Sequence, residues 1–89
     1  MWIKYFIKNQ PQLLNLDHVA KIEPQAFVGT IIFFGSPESV DGVDSFPIVD
    51  IFEFKTTVDA EKAFRIIESC IIDKLPLLVM ETEKYNLVE

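Results

Sequence analysis

The sequence predicts an α+β fold: a curled antiparallel sheet of four to five strands packed by one long amphipathic helix over about residues 58–75. Three observations lead there. Residues 2–8 alternate strictly, with Ile3, Tyr5 and Ile7 on one side and Trp2, Lys4, Phe6 and Lys8 on the other, the period-two pattern of a strand. Residues 26–34 carry large apolar side chains on both alternating faces, as expected of a central strand covered on two sides. Ala60, Ala63, Phe64, Ile67, Cys70, Ile71 and Leu75 recur at the i, i+3, i+4, i+7 spacing of one buried helical stripe. Strands followed by a single helix place that helix on one face of an antiparallel sheet.

Each element has a local cause. After the first strand, Asn9, Gln10, Pro11 and Gln12 offer turn chemistry, and Pro11 has no N–H to give a ladder. An extended segment at 13–16 meets a tight turn or bulge at Asp17-His18, and a strand then resumes over 19–23 until Pro24 stops it. Gly29, inside the 26–34 strand, marks a bulge or a close backbone approach. Residues 35–47 form a long loop, and residues 48–55 return as a strand with Phe52 and Phe54 on one face. Residues 77–82 fit a last strand or a short helix, with strand favoured.

The helix has clear ends. Thr56 or Thr57 caps its start, Asp59 and Glu61 suit the positive end of its dipole, and Pro76 disfavours a helical residue before it. Asp59, Glu61, Lys62, Arg65, Glu68, Ser69 and Asp73 cover the side away from the stripe. With Phe64 in that stripe, Phe64→Ala is expected to cost about 3–5 kcal/mol.

Composition narrows the function. The 89 residues suit one domain, 1–89, and 49% apolar content can build a core. Eight Lys/Arg against fourteen Asp/Glu give a net charge of −6, which opposes binding to a polyanion, so no nucleic-acid partner is expected. Cys70 is the only cysteine and His18 the only histidine, which excludes a disulfide scaffold and a Cys/His metal cluster. The three glycines, Gly29, Gly35 and Gly42, form no phosphate cradle, and no cofactor is expected. No apolar run nears the ~20 residues that span a bilayer, and the alternating amino terminus is unlike a secretion signal. A cytoplasmic protein with no membrane partner is the expectation.

Four features are candidates for function. The first is surplus apolar surface: one helix covers one sheet face, yet Ile66, Ile72, Trp2, Phe6, Leu77, Leu78, Val79, Met80, Leu87 and Val88 add to residues 26–34. A small chain hides little of this, which points to a homo-oligomer, a dimer above all, alongside a sheet curled on itself. The second is Asp17-His18, where imidazole beside carboxylate is the pairing of a general base, although neighbours on an extended strand point apart. They are pocket candidates, and a surface Asx turn is the plainer alternative. The third, Cys70, sits among apolar helix positions as a core thiol. The fourth is the 35–47 loop, where Glu38, Asp41 and Asp44 lie in a stretch without any basic residue, a docking loop for a basic protein partner or simply a solvated loop. Asp41-Gly42-Val43-Asp44 lacks the alternating ligands of a calcium loop.

Asn15-Leu16-Asp17-His18-Val19, followed by Ile22-Glu23-Pro24, resembles a turn segment of a class of short, uncharacterised bacterial proteins. Those have an aromatic-rich first strand, this Asn-Leu-Asp segment, further strands and one amphipathic helix. Phe52-Glu53-Phe54-Lys55-Thr56-Thr57 leading into Asp59-Ala60-Glu61-Lys62-Ala63-Phe64 is similar to their strand-to-helix junction. The resemblance extends to about Leu75 and implies a sheet-plus-helix domain similar to a pleckstrin-homology half-barrel, with no activity attached. The Asn-Leu-Asp-His segment also resembles one in LytTR-type DNA-binding domains. Those present basic residues to phosphates, whereas here only Lys21 lies near the segment.

The function expected from these observations is a non-enzymatic interaction or regulatory domain that self-associates, its acidic loop selecting a partner by charge. The alternative is a small enzyme or ligand carrier whose pocket forms at a subunit interface around His18. A deep cleft with His18 facing inward would favour the alternative.

Overall fold

A computed structural model describes residues 1–25 and 27–88; the expected start of a strand at Ala26 lies outside the described residues. In chain order it forms β1 (Trp2–Ile7), β2 (Gln10–Asn15), a 3-10 turn (Leu16–His18), β3 (Lys21–Gln25), β4 (Thr30–Phe34), β5 (Glu38–Val40), β6 (Val43–Ser45), β7 (Ile48–Glu53), α1 (Thr57–Ile72) and β8 (Leu77–Val79). The fold is α+β. In place of one sheet of four to five strands, the described strands form three small sheets, ordered β2-β1-β8, β3-β4-β7 and β5-β6. The β1–β8 pair is parallel, and the other pairs are antiparallel.

Turn chemistry explains several departures from expectation. Lys8 and Asn9 take φ of 49° and 66°. Two left-handed residues make the tight hairpin that matches strand twist, so the first turn falls at Lys8-Asn9 and Pro11 lies within β2. Pro24 likewise lies within β3 and does not stop it. Both prolines occupy edge strands, where the missing N–H faces away from the partner. Residues 27–29 form a turn, so Gly29 stands just before β4, not inside it. There its φ is +66°, and a Cβ would sit 3.3 Å from the carbonyl oxygens of Phe54 and Thr56. The expected close approach is real, because Phe54 N–H donates to the Gly29 carbonyl at 2.9 Å.

The expected 35–47 loop is mostly a hairpin. Asp41 (φ 52°) and Gly42 (φ 79°) supply its two-residue turn, and Glu38, Ser39 and Val40 pair with Ser45, Asp44 and Val43. Every residue from Ser36 to Val49 is exposed.

Thr56 caps α1 as expected: its hydroxyl oxygen accepts the Asp59 N–H at 3.1 Å and donates to the Asp59 carboxylate at 2.7 Å. The helix ends at Ile72, short of residue 75. Lys74 takes φ 55°, its N–H bonds the Ile71 carbonyl at 3.1 Å, and Leu75 N–H bonds that of Cys70 at 3.0 Å, a Schellman stop that needs no proline. Ala60, Ala63, Ile67 and Cys70 are buried as the stripe predicts, but Ile71 and Leu75 are exposed and Phe64 is half-buried. The stripe runs past the end of the sheet that should cover it.

Register defines the faces of each sheet, because paired residues point the same way. On the β3-β4-β7 sheet, Ile22, Ile31, Phe33 and Phe52 share one face. Phe33 and Phe52 rings meet at 4.8 Å, and Tyr5 of β1 reaches Phe52 at 4.7 Å. The same core contains Ala63 and Ile67 of α1 and Ile3, Leu14, Leu78 and Met80 from the first sheet and its end. Helix and first sheet therefore share one face of the second sheet. The carboxy-terminal segment closes the far end, where Leu87 bridges Phe54 and Val88 N–H bonds the Glu53 carbonyl at 2.8 Å.

Candidate interaction surfaces

Since each sheet spends one face on the shared core, its other face looks outward. On β2-β1-β8 the outward set follows from register: Trp2 lies beside Leu77 and Asn15, Lys4 beside Val79 and Leu13, and Phe6 beside Pro11. Trp2, Leu13, Leu77 and Val79 are 43%, 62%, 47% and 39% exposed. The patch is apolar around one cation, Lys4, whose ammonium lies 5.7 Å from the Phe6 ring centre. Lys4 makes no ion pair among the described residues. The alternation of residues 2–8 already put Trp2, Lys4 and Phe6 together; Leu13 was missed because it joins them through the hairpin register.

The outer face of β3-β4-β7 carries Ile32, Phe34 and Ile51 with Lys21 and Glu23. Lys21 pairs with Glu23 at 3.0 Å and lies 5.2 Å and 5.6 Å from the rings of Phe34 and Phe46. Beyond it projects the β5-β6 arm. Pairing puts Glu38, Val40, Val43 and Ser45 on one face, with Asp41 at the tip and Asp44 on the other face. The arm's acids are thus interleaved with exposed valines. The dipeptide Asp-Gly between Val40 and Val43 is the signal that could have shown this hairpin in the sequence.

The arm leaves its mark on the dimensions of the chain. Its accessible surface is 6123 Å², against roughly 5,300 Å² for a compact monomer of this mass. The radius of gyration is 13.5 Å, where about 12 Å is usual for this length.

Asp17 and His18 lie on the exposed 3-10 turn. Asp17 N–H donates to the Asn15 side-chain oxygen at 3.0 Å, an Asx turn, and its carboxylate lies 3.5 Å from the amino terminus. A groove of about 670 Å³ runs between this turn, β3 and the end of α1, lined by Leu16, Val19, Phe64 and Ile71 among others; Asp17 reaches its rim, and His18 is not part of it. Asp17 and His18 share only this exposed turn, Cys70 is buried in α1, and Glu38, Asp41 and Asp44 stay on the arm. Among the described residues no group of three His, Cys, Asp or Glu side chains could hold a metal ion, and no helix is long and apolar enough to cross a membrane.

Two titrating groups are shifted, both where elements join. Burial, with the hydrogen bond and charge of Asp50 behind it, holds the Tyr5 hydroxyl well above the usual tyrosine range. Hydrogen bonds from Thr56 and then Asn86 hold the Asp59 carboxyl below its ordinary value. Both shifts serve the scaffold.

Comparison with protein-family models, with curated proteins and with solved structures found no match to this chain.

Proposed function

We propose that this chain is a non-enzymatic interaction domain of the cytoplasm, regulatory in character, which works by associating with a second copy of itself. One observation carries the proposal: both three-stranded sheets turn apolar outer faces to solvent, Trp2, Phe6, Leu13, Leu77 and Val79 on one and Ile32, Phe34 and Ile51 on the other. Contiguous exposed apolar surface on a small protein marks an interaction site, because water is released when it is covered. The surplus is grouped by register into patches and not scattered. Part of the same proposal is that the two sheets and the helix act as a half-barrel-like scaffold holding these faces outward. The acidic arm adds charge selectivity, and a basic protein is the kind of foreign partner it would accept.

Light scattering on the pure protein across a dilution series is the test. The expected result is a mass of twice 10.2 kDa that falls towards one chain on dilution. A mass of one chain at every concentration up to the solubility limit would remove self-association. For a basic partner, affinity must weaken steeply as ionic strength rises, and binding indifferent to salt would remove the docking role of Glu38, Asp41 and Asp44.

A further inference from the structure

We infer which surfaces meet: the β5-β6 arm of one copy lies on the outer face of the β2-β1-β8 sheet of a second copy. The inference rests on the self-association proposed above and deepens it by naming the contact.

The two surfaces complement each other in charge. The sheet face is apolar with Lys4 at its centre, and Lys8 stands at the adjoining turn. The arm is apolar and acidic: Val40 and Val43 flank its tip at Asp41, Glu38 lies on their face at its base, and the sequence holds no Lys, Arg or His between Lys21 and Lys55. Two sheet faces brought together would set Lys4 against Lys4, and two arms would set acid against acid. Arm on sheet is the pairing of these patches that opposes unlike charges, and like charges set against each other at a contact oppose association.

Stability agrees. An isolated two-stranded hairpin is marginal in water, and this one is exposed along its whole length. Its Val40–Val43 pair at the tip gains burial only against another surface. In a two-fold dimer the contact would occur twice, each arm crossing to the other copy's sheet.

The experiment uses charge exchange in the full chain. Sedimentation equilibrium is measured for the wild type, for Lys4→Gln, for Lys4→Glu, and for an arm variant carrying Glu38→Lys and Asp41→Lys. All three positions are at least partly exposed, and far-ultraviolet circular dichroism checks each fold. Self-association is expected to weaken modestly in Lys4→Gln and by tenfold or more in Lys4→Glu and in the arm variant. Mixing Lys4→Glu with the arm variant is then expected to restore a mixed dimer near wild-type affinity, since each arm again faces a sheet of opposite charge. A wild-type dimer that Lys4→Glu leaves intact would overturn the arm-on-sheet contact while leaving self-association standing. Failure of the mixture to associate would overturn it too, and a monomeric wild type would overturn both.

Discussion

Tyr5→Phe removes one oxygen from the joint between the two main sheets. Tyr5 stands on β1, and its hydroxyl donates to the Asp50 carboxylate of β7 at 2.5 Å in a partly buried setting. The Tyr5 ring packs on Phe52 at 4.7 Å, and phenylalanine keeps that contact. Hydrogen bonds to charged groups contribute about 1.5–3 kcal/mol. Asp50 is only half-buried, and its other oxygen still accepts the Ile51 N–H at 2.8 Å, so no orphaned charge remains. The expected loss is therefore at the low end, about 1–1.5 kcal/mol, which for a domain of this size lowers Tm by roughly 4–10 °C. The pH dependence has a fixed sign. A hydroxyl whose folded-state pKa lies above the unfolded value binds its proton more tightly when folded. Its contribution is complete below about pH 10, the ordinary tyrosine value, and is lost as pH rises beyond it. Urea unfolding followed by the fluorescence of Trp2, at pH 7 and in steps towards about pH 11, measures both effects. The difference between the two proteins isolates the contribution of Tyr5. Equal stability at neutral pH, or an equal alkaline decline in both proteins, would refute this account of the joint.

Further outcomes follow from single sites. Gly29→Ala should cost about 1–3 kcal/mol, from the left-handed φ and from two carbonyl oxygens at 3.3 Å, whereas Gly42→Ala meets open space and should cost only the roughly 1–2 kcal/mol of its left-handed φ; denaturant midpoints compare the two. Phe33→Ala should cost about 3–5 kcal/mol because the ring is fully buried, and half-buried Phe64→Ala only about 2, a revision of the sequence-based figure. Thr56→Ala should lose about 1 kcal/mol with the helix cap, read by thermal unfolding. The depressed pKa of Asp59 stabilises the fold above the ordinary carboxylate range and is lost as pH falls through the folded value. Asp59→Asn should therefore flatten part of the acid limb of a stability–pH curve.

The sequence patterns that proved readable are those with a one-element cause. The alternation of residues 2–8, the spacing from Ala60 to Cys70 and the Thr56 cap all depend on neighbours within a few positions. What was not readable depends on partners elsewhere. Pro11 and Pro24 look like breakers until the topology places both on sheet edges. Ile71 and Leu75 continue the spacing of the stripe, yet they line an open groove and stay exposed, and periodicity carries no information about where the covering sheet ends. The parallel pairing of β8 with β1 has no local signature. The acidic residues of the candidate site were legible as composition, whereas the arm that carries them reads as a loop until the Asp41-Gly42 turn is weighed as a hairpin signal. The apolar face around Lys4 was half legible, since Trp2 and Phe6 share its strand but Leu13, Leu77 and Val79 reach it only through pairing.

That β8 lies beside β1 has a consequence for how the chain comes to its native state. The first strand waits for a neighbour some seventy-five residues downstream, and closing so large a loop loses chain entropy before any ladder bond returns it. A nascent chain on the ribosome can form the Lys8-Asn9 hairpin early, but its exposed flank stays open until β8 has emerged. The helix, whose contacts are mostly local, can form long before that. Folding of this domain should be slow for its length and sensitive to loss of β8, which acts as the latch.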